Sequence, residues 1–193
     1  DGRFLAVWTG SEDGTSTQVF ARLFDASASP LGPHFMVSSG PCTQNYSPQV
    51  AWTEDSAKFV IVWERLCPGD FFAEIAATLL DPDDLTTIPE PMPLAPDMEE
   101  SFSPVVATAH LLAVPAGVDP PPAPQEEHII LFLWAATSNS ADAADGPYDI
   151  VGRRYTADDL GLLAFDAAPV AMTTITRFEQ NSPAGAFSTG RLL

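Results

Sequence analysis

Ser47-Pro48-Gln49-Val50-Ala51-Trp52-Thr53, followed after a polar turn at Asp55-Ser56 by Phe59-Val60-Ile61-Val62-Trp63, is the stretch whose reading decides the fold. Both halves are strand-sized and rich in the β-branched and aromatic side chains that suit a pleated, half-buried surface. Turn residues separate them, so the segment reads as a β-hairpin whose second strand ends in tryptophan.

The same pattern recurs outward from this hairpin. Tyr46-Ser47-Pro48 is matched by Phe102-Ser103-Pro104 and Asn181-Ser182-Pro183. The run ending in Trp63 is matched by Phe4-Leu5-Ala6-Val7-Trp8 and Ile130-Leu131-Phe132-Leu133-Trp134. A further element follows each time, as Val19-Phe20-Ala21-Arg22, Ile75-Ala76-Ala77-Thr78 and Ile150-Val151-Gly152-Arg153. The steps from Trp to that element are 11, 12 and 16 residues, and from its first residue to the next Ser-Pro proline 29, 29 and 33. Each round therefore predicts four short strands, the fourth being a segment such as His34 to Val37. Turn chemistry lies at 12–14, 68–70 and 145–147. No segment shows convincing helical periodicity. The expected class is all-β, a β-propeller with four-stranded antiparallel blades, of which this chain holds three. The competing architecture is a single irregular β-sandwich.

Blade 1 is expected over 1–40 together with a C-terminal strand at 181–193, blade 2 over 41–96 and blade 3 over 97–180. Gly190-Arg191-Leu192-Leu193 aligns with Gly2-Arg3-Phe4-Leu5, so the expected segment is a partial ring, or half of a dimeric one. The chain opens at Asp1 with neither Met nor a signal-like segment, as expected of a processed or partial chain. Blade 3 carries an insertion, because Pro48 to Trp63 spans 15 residues and Pro104 to Trp134 spans 30. The extra residues centre on Val114 to His128 and include Pro120-Pro121-Pro122-Ala123-Pro124, a run that favours polyproline II and should project from the sheet.

Eight Lys and Arg stand against 26 Asp and Glu, a net charge of −18, and Lys58 is the lone lysine. This excludes ordinary nucleic-acid and anionic-membrane binders, which need clustered positive charge. No apolar run approaches the roughly 18 residues that span a bilayer as a helix, so no membrane insertion is expected. At 46% hydrophobic residues, the chain can nonetheless bury a core.

The two cysteines are placed by the hairpin. Paired residues of an antiparallel hairpin keep a constant index sum, near 111 for a turn at Asp55-Ser56, and 42 with 67 makes 109. Cys42 and Cys67 should therefore meet as a disulfide across its mouth, which implies an oxidising compartment: extracellular, cell-surface or periplasmic.

Taken together, Ser-Pro-x-Val-Ala, Phe-x-Val-x-Trp and Val-Phe-Ala-Arg-x-Phe-Asp-x-x-x-x-Pro-Leu-Gly resemble a repeat of secreted bacterial β-propeller-like proteins. The best copies are Asp1–Trp8 with Val19–Gly32, and Ser47–Trp63. The third copy departs at its insertion and at Thr156, where the pattern has Asp. The resemblance implies a surface or secreted scaffold and names no catalytic residue. Ser11-Glu12-Asp13-Gly14 lacks the spacing and closing aromatic of a sialidase Asp-box.

Candidate chemistry is sparse. Calcium is the cofactor best matched, through Asp142, Asp145 and Asp149 in one acidic loop, although no EF-hand pattern is present. His34, His110 and His128 fall in different parts of the repeat and show no metal-ligand spacing. Carboxylate neighbours such as Asp83/Asp84 and Glu99/Glu100 are unavoidable among so many acids. No Gly-x-Ser-x-Gly is present. Trp8, Trp63 and Trp134 are expected in the core; Trp52 faces core or channel, where it could serve as a carbohydrate platform. The expected function is a non-enzymatic extracellular scaffold that binds other protein chains or further blades, as a homodimer or within a longer chain. The alternative is a carbohydrate-binding propeller lectin or a propeller-type glycoside hydrolase. At −18 the protein should pass through a heparin column at physiological ionic strength; retention there would reveal a basic patch around Arg153-Arg154, the one adjacent basic pair.

Overall fold

The structure, a computed structural model, describes residues 2–54, 56–94, 101–113, 125–136, 149–157, 163–165 and 170–171. At 109–113, 125–129, 149, 156–157, 163–165 and 170–171 it describes the backbone alone. The described residues form twelve β-strands and no helix. The first sheet contains β1 (Phe4–Gly10), β2 (Gln18–Phe24) and β3 (Phe35–Met36) in that order. The second is a four-stranded meander of β4 (Gln44–Thr53), β5 (Lys58–Leu66), β6 (Glu74–Leu80) and β7 (Met92–Pro93). The third runs β8 (Ser101–Ala113), β9 (Gln125–Ala136), β10 (Asp149–Ala157) and β11 (Leu163–Phe165), with β12 (Val170–Ala171) also on β10. Every pairing within these sheets is antiparallel.

The sheets stack face to face in chain order, and the second is covered on both sides. Val60 and Val62 of β5, with Ile75, Ala77 and Leu79 of β6, pack against Ile130, Phe132 and Trp134 of the third sheet. Phe59, Ile61 and Trp63, with Ala76 and Leu80, pack instead against Leu5, Val19, Ala21 and Leu23 of the first. Because successive side chains point to opposite faces, a strand buried on both faces must be apolar throughout. That is why residues 59–63 read as an unbroken hydrophobic run.

The Ser-Pro motif lies inside its strand, where the sequence placed it at the strand's opening. Tyr46 pairs with Glu64 and Gln49 with Val62, leaving Ser47 and Pro48 opposite Trp63 alone. Phe102 pairs with Ala135 and Val105 with Leu133, leaving Ser103 and Pro104 opposite Trp134. Both are two-against-one bulges, with Ser47 at φ 51° and Ser103 at φ 53°. Proline has no N–H for the ladder, and a bulge is where a strand tolerates that loss.

Bonds at equivalent positions recur from sheet to sheet. The Asn45 amide donates to Thr17 O at 2.9 Å and the Ser101 amide to Ala73 O at 2.9 Å, each tying a sheet to its predecessor. Val37 N to Val19 O and Leu94 N to Ile75 O are both 2.8 Å. The side chains at these positions diverge. Trp63 Nε1 donates to Asn45 Oδ1 at 2.9 Å, and Asn45 Nδ2 donates to Gln18 Oε1 at 2.8 Å, which also accepts from Ser38 Oγ at 2.6 Å. In the third sheet Ser101 takes the place of Asn45 and is too short to reach the indole. Ser101 Oγ and Trp134 Nε1 are both buried without a hydrogen-bond partner among the described residues.

One expectation is corrected here. Trp8 is 37% exposed while Trp63 and Trp134 are fully buried. Each Trp faces the preceding sheet, and among the described residues none precedes the first. Of the stretch Val114 to His128 read as an insertion, residues 125–128 belong to β9, because β8 and β9 stay paired out to Ala113 and Gln125. The hairpin runs four rungs past the point equivalent to the Thr53–Lys58 end of the β4–β5 hairpin. Residues 114–124, which hold the proline run, and 172–193, which hold the C-terminal strand expected for blade 1, lie outside the described residues.

Restoring the missing acceptor should stabilise the third sheet. Ser101→Asn is expected to raise stability by ~1 kcal/mol, and Asn45→Ser to lower it by roughly 1–3 kcal/mol, in urea unfolding. A destabilised Ser101→Asn would show that the third sheet lacks room for the amide.

Candidate functional site

Where the start of the first sheet meets the far end of the β4–β5 hairpin, the packing leaves a cavity of about 340 Å³. Gly2, Arg3, Phe4 and Leu5 form one side, and Val50, Ala51, Trp52, Phe59 and Pro82 the other. Strand alternation decides which side chains enter it. Leu5, Val50 and Phe59 belong to the core between the first two sheets, and Trp52 pairs across the hairpin with Phe59 on that same face. The Phe59 ring meets the Trp52 ring edge-on, with centroids 4.9 Å apart and planes at 66°. Phe4, one residue out of phase with Leu5, instead stacks on Phe24 at 5.1 Å on the outer face.

The polar rim comes from Arg3 and the loop after β6. Arg3 Nη1 donates to Asp83 Oδ1 at 2.7 Å and to Pro82 O at 3.4 Å. That loop is shaped by its own carboxylates. Asp83 N donates to Asp81 Oδ1 at 2.8 Å, and Thr86 Oγ1 donates to Asp84 Oδ1 at 2.6 Å. Lys58 Nζ lies 3.7 Å from Asp81. The Thr86 and Thr87 donors hold the Asp84 carboxyl below its ordinary pKa. The Ser16 and Thr15 donors do the same for Asp13 in the β1–β2 turn, and Ser27 and Ser29 for Asp25 after β2. Depressed carboxyls favour the folded loops above the ordinary carboxylate range, and that contribution fades as pH falls through it. Asp83 and Asp84 thus have separate structural partners and form no acid–base couple.

The residues singled out from sequence are mostly scattered or undescribed. Asp142 and Asp145 lie outside the described residues, and Asp149 opens β10 opposite Ala136, so the calcium expectation falls largely outside them. No group of three metal-ligating side chains occurs among the described residues. His34 Nε2 sits 3.4 Å from Glu12 Oε1, with ring neighbours Trp8 and Phe20. His110 and His128, read as belonging to different parts of the repeat, are directly paired across β8 and β9. Their relation was hidden because the hairpin extension brings them into register. Arg3 and Asp83 were not read as site residues; they are 80 residues apart and no local pattern links them. Tyr155, pushed above its ordinary pKa chiefly by burial, donates to Leu94 O at 3.3 Å as a core group. Comparison with protein-family models, with curated proteins and with solved structures finds no match to this chain.

Cys42 and Cys67 are joined as a disulfide. The index sum is 111 from Gln49 to Thr53 and drops to 110 between Gln44 and Tyr46, since the Ser-Pro bulge consumes one residue. The cysteines lie just beyond that last rung. Unreduced, denatured protein should show no thiol reactive to Ellman's reagent, and Cys42→Ser should cost about 3 kcal/mol of stability. Two reactive thiols per chain would refute the bridge.

Proposed function

We propose that this chain is a three-blade portion of a β-propeller, acting as a non-enzymatic extracellular or cell-surface scaffold that assembles through its first sheet with a second copy of itself. The observation that carries this reading is the outer face of the first sheet, where Phe4, Trp8 and Met36 are exposed. Phe4 and Trp8 occupy the positions of Phe59 and Trp63, which the second sheet buries against its predecessor. A monomer gains nothing by leaving such a face in water.

The complementary surface is also present in the chain. Ile130, Phe132 and Trp134 face the second sheet, so alternation turns Leu131 and Leu133 the other way, together with Ile150 opposite Ala135. These are the positions of Leu5, Val7 and Val19, the residues with which the first sheet covers the second. The third sheet of one copy therefore fits the first sheet of another by the same packing that joins neighbouring sheets within the chain. Two such contacts related by a two-fold axis would close six blades, within the usual range. The disulfide supports the oxidising compartment.

Sedimentation equilibrium tests this directly. The 193-residue chain should run at twice its 20.6 kDa, and Trp8→Glu should dissociate it while leaving the far-ultraviolet spectrum unchanged. A compact, well-folded wild-type monomer would overturn the reading.

A further inference from the structure

We infer that the cavity between the first two sheets binds a neutral saccharide ring, with Trp52 as the stacking platform and Asp83 as an acceptor for its hydroxyls. The floor is apolar, made by Leu5, Val50 and Phe59, whereas Trp52 remains 39% exposed at the mouth. Its ring is steadied by the edge-on Phe59, so a large flat surface is held rigid and wet. Aromatic surface of this kind is costly to leave in water, and an indole provides both apolar area and a negative π-face. A pyranose presents the complement: a face of C–H bonds to pack on the indole, with hydroxyls around its edge.

Asp83 supplies the polar half. It lies at the rim, next in the chain to the lining residue Pro82 and bonded to the lining residue Arg3. Its side chain is 78% exposed, so the carboxylate keeps acceptor capacity beyond the bond from Arg3. The charge balance selects a neutral ligand. Arg3 lies 2.7 Å from Asp83, so the pair is close to neutral and leaves no uncompensated cation to draw an anion. A net charge of −18 further disfavours anionic sugars. The volume of about 340 Å³ lies at the low end of the ~300–1,000 Å³ typical of small-molecule sites, which suits one ring better than a peptide. A purely aromatic ligand would use Trp52 and ignore Asp83. Phe4 borders both the cavity and the assembly face proposed above, whereas Trp52 belongs to the second sheet and Asp83 to the loop after β6, so variants at these two positions test the inference independently of the oligomeric state.

Glucose, galactose, mannose and N-acetylglucosamine, titrated separately against the intact chain with tryptophan fluorescence and calorimetry, form the test. At least one should bind saturably. Trp52→Ala and Asp83→Ala should each weaken that binding at least tenfold while the far-ultraviolet spectrum stays that of the wild type, and Phe71→Ala, at an almost fully exposed position outside the cavity, should leave it unchanged. The inference fails if none of the four sugars saturates, or if the affinity survives in both cavity variants. Tighter binding of glucuronic acid than of glucose would also overturn it, as would saturation by phenol with no response to any sugar.

Discussion

The rest of the structure depends on the burial of β5 and β6 from both sides. A sheet wetted on one face tolerates polar residues at every second position, but a sandwiched one does not. Phe59 to Trp63 and Ile75 to Leu80 accept this restriction, with Thr78 as the polar exception, its hydroxyl donating to Pro89 O at 3.0 Å. Because both faces are occupied, the sheets before and after are positioned by one pair of strands. Loss of packing on either face would therefore be felt by all three sheets.

The second constraint is local and concerns the tryptophans. A buried indole N–H needs an acceptor. The bulge made by Ser47 and Pro48 sits opposite Trp63, and Asn45, just before it, supplies that acceptor while its amide group reaches Gln18 of the preceding sheet. One asparagine thus couples strand geometry, core polarity and inter-sheet packing. The third sheet keeps the bulge and the buried tryptophan but has Ser101 at the asparagine's position, which leaves two buried polar atoms without partners among the described residues. Equivalent backbone positions do not guarantee equivalent energetics. Inter-sheet contacts also continue beyond the core: Ser103 N donates to Glu64 Oε1 at 2.7 Å and Thr108 Oγ1 to Trp52 O at 2.7 Å.

The candidate site arises from the same stacking, at a point where it is imperfect. Trp52 and Phe59 belong to one hairpin, but a cavity forms only because the first sheet meets that hairpin at its end and because Arg3 reaches the loop after β6. The position equivalent to Trp52 in the third sheet is Thr108, so the cavity is a local feature of one junction.

What the sequence determined by itself was the strand content, the hairpins and the cysteine pairing, all of which rest on short-range rules: alternation, turn residues and a constant index sum along a hairpin. Trp52 was legible as a residue of uncertain side for the same reason, since its strand was clear and its facing was not. Only the tertiary structure decided that Ser-Pro is a bulge inside the strand, since a bulge exists only against a partner. It alone showed that Trp8 is exposed where Trp63 is buried, because burial belongs to the neighbouring sheet and not to the residue. The pairing of Arg3 with Asp83 likewise required the assembled sheets, whereas that of His110 with His128 required only the register of the β8–β9 hairpin, which runs past the end of its β4–β5 counterpart. Each of these residues lies on a strand or loop that local patterns describe well, but its chemistry is set by whichever distant backbone the packing brings alongside.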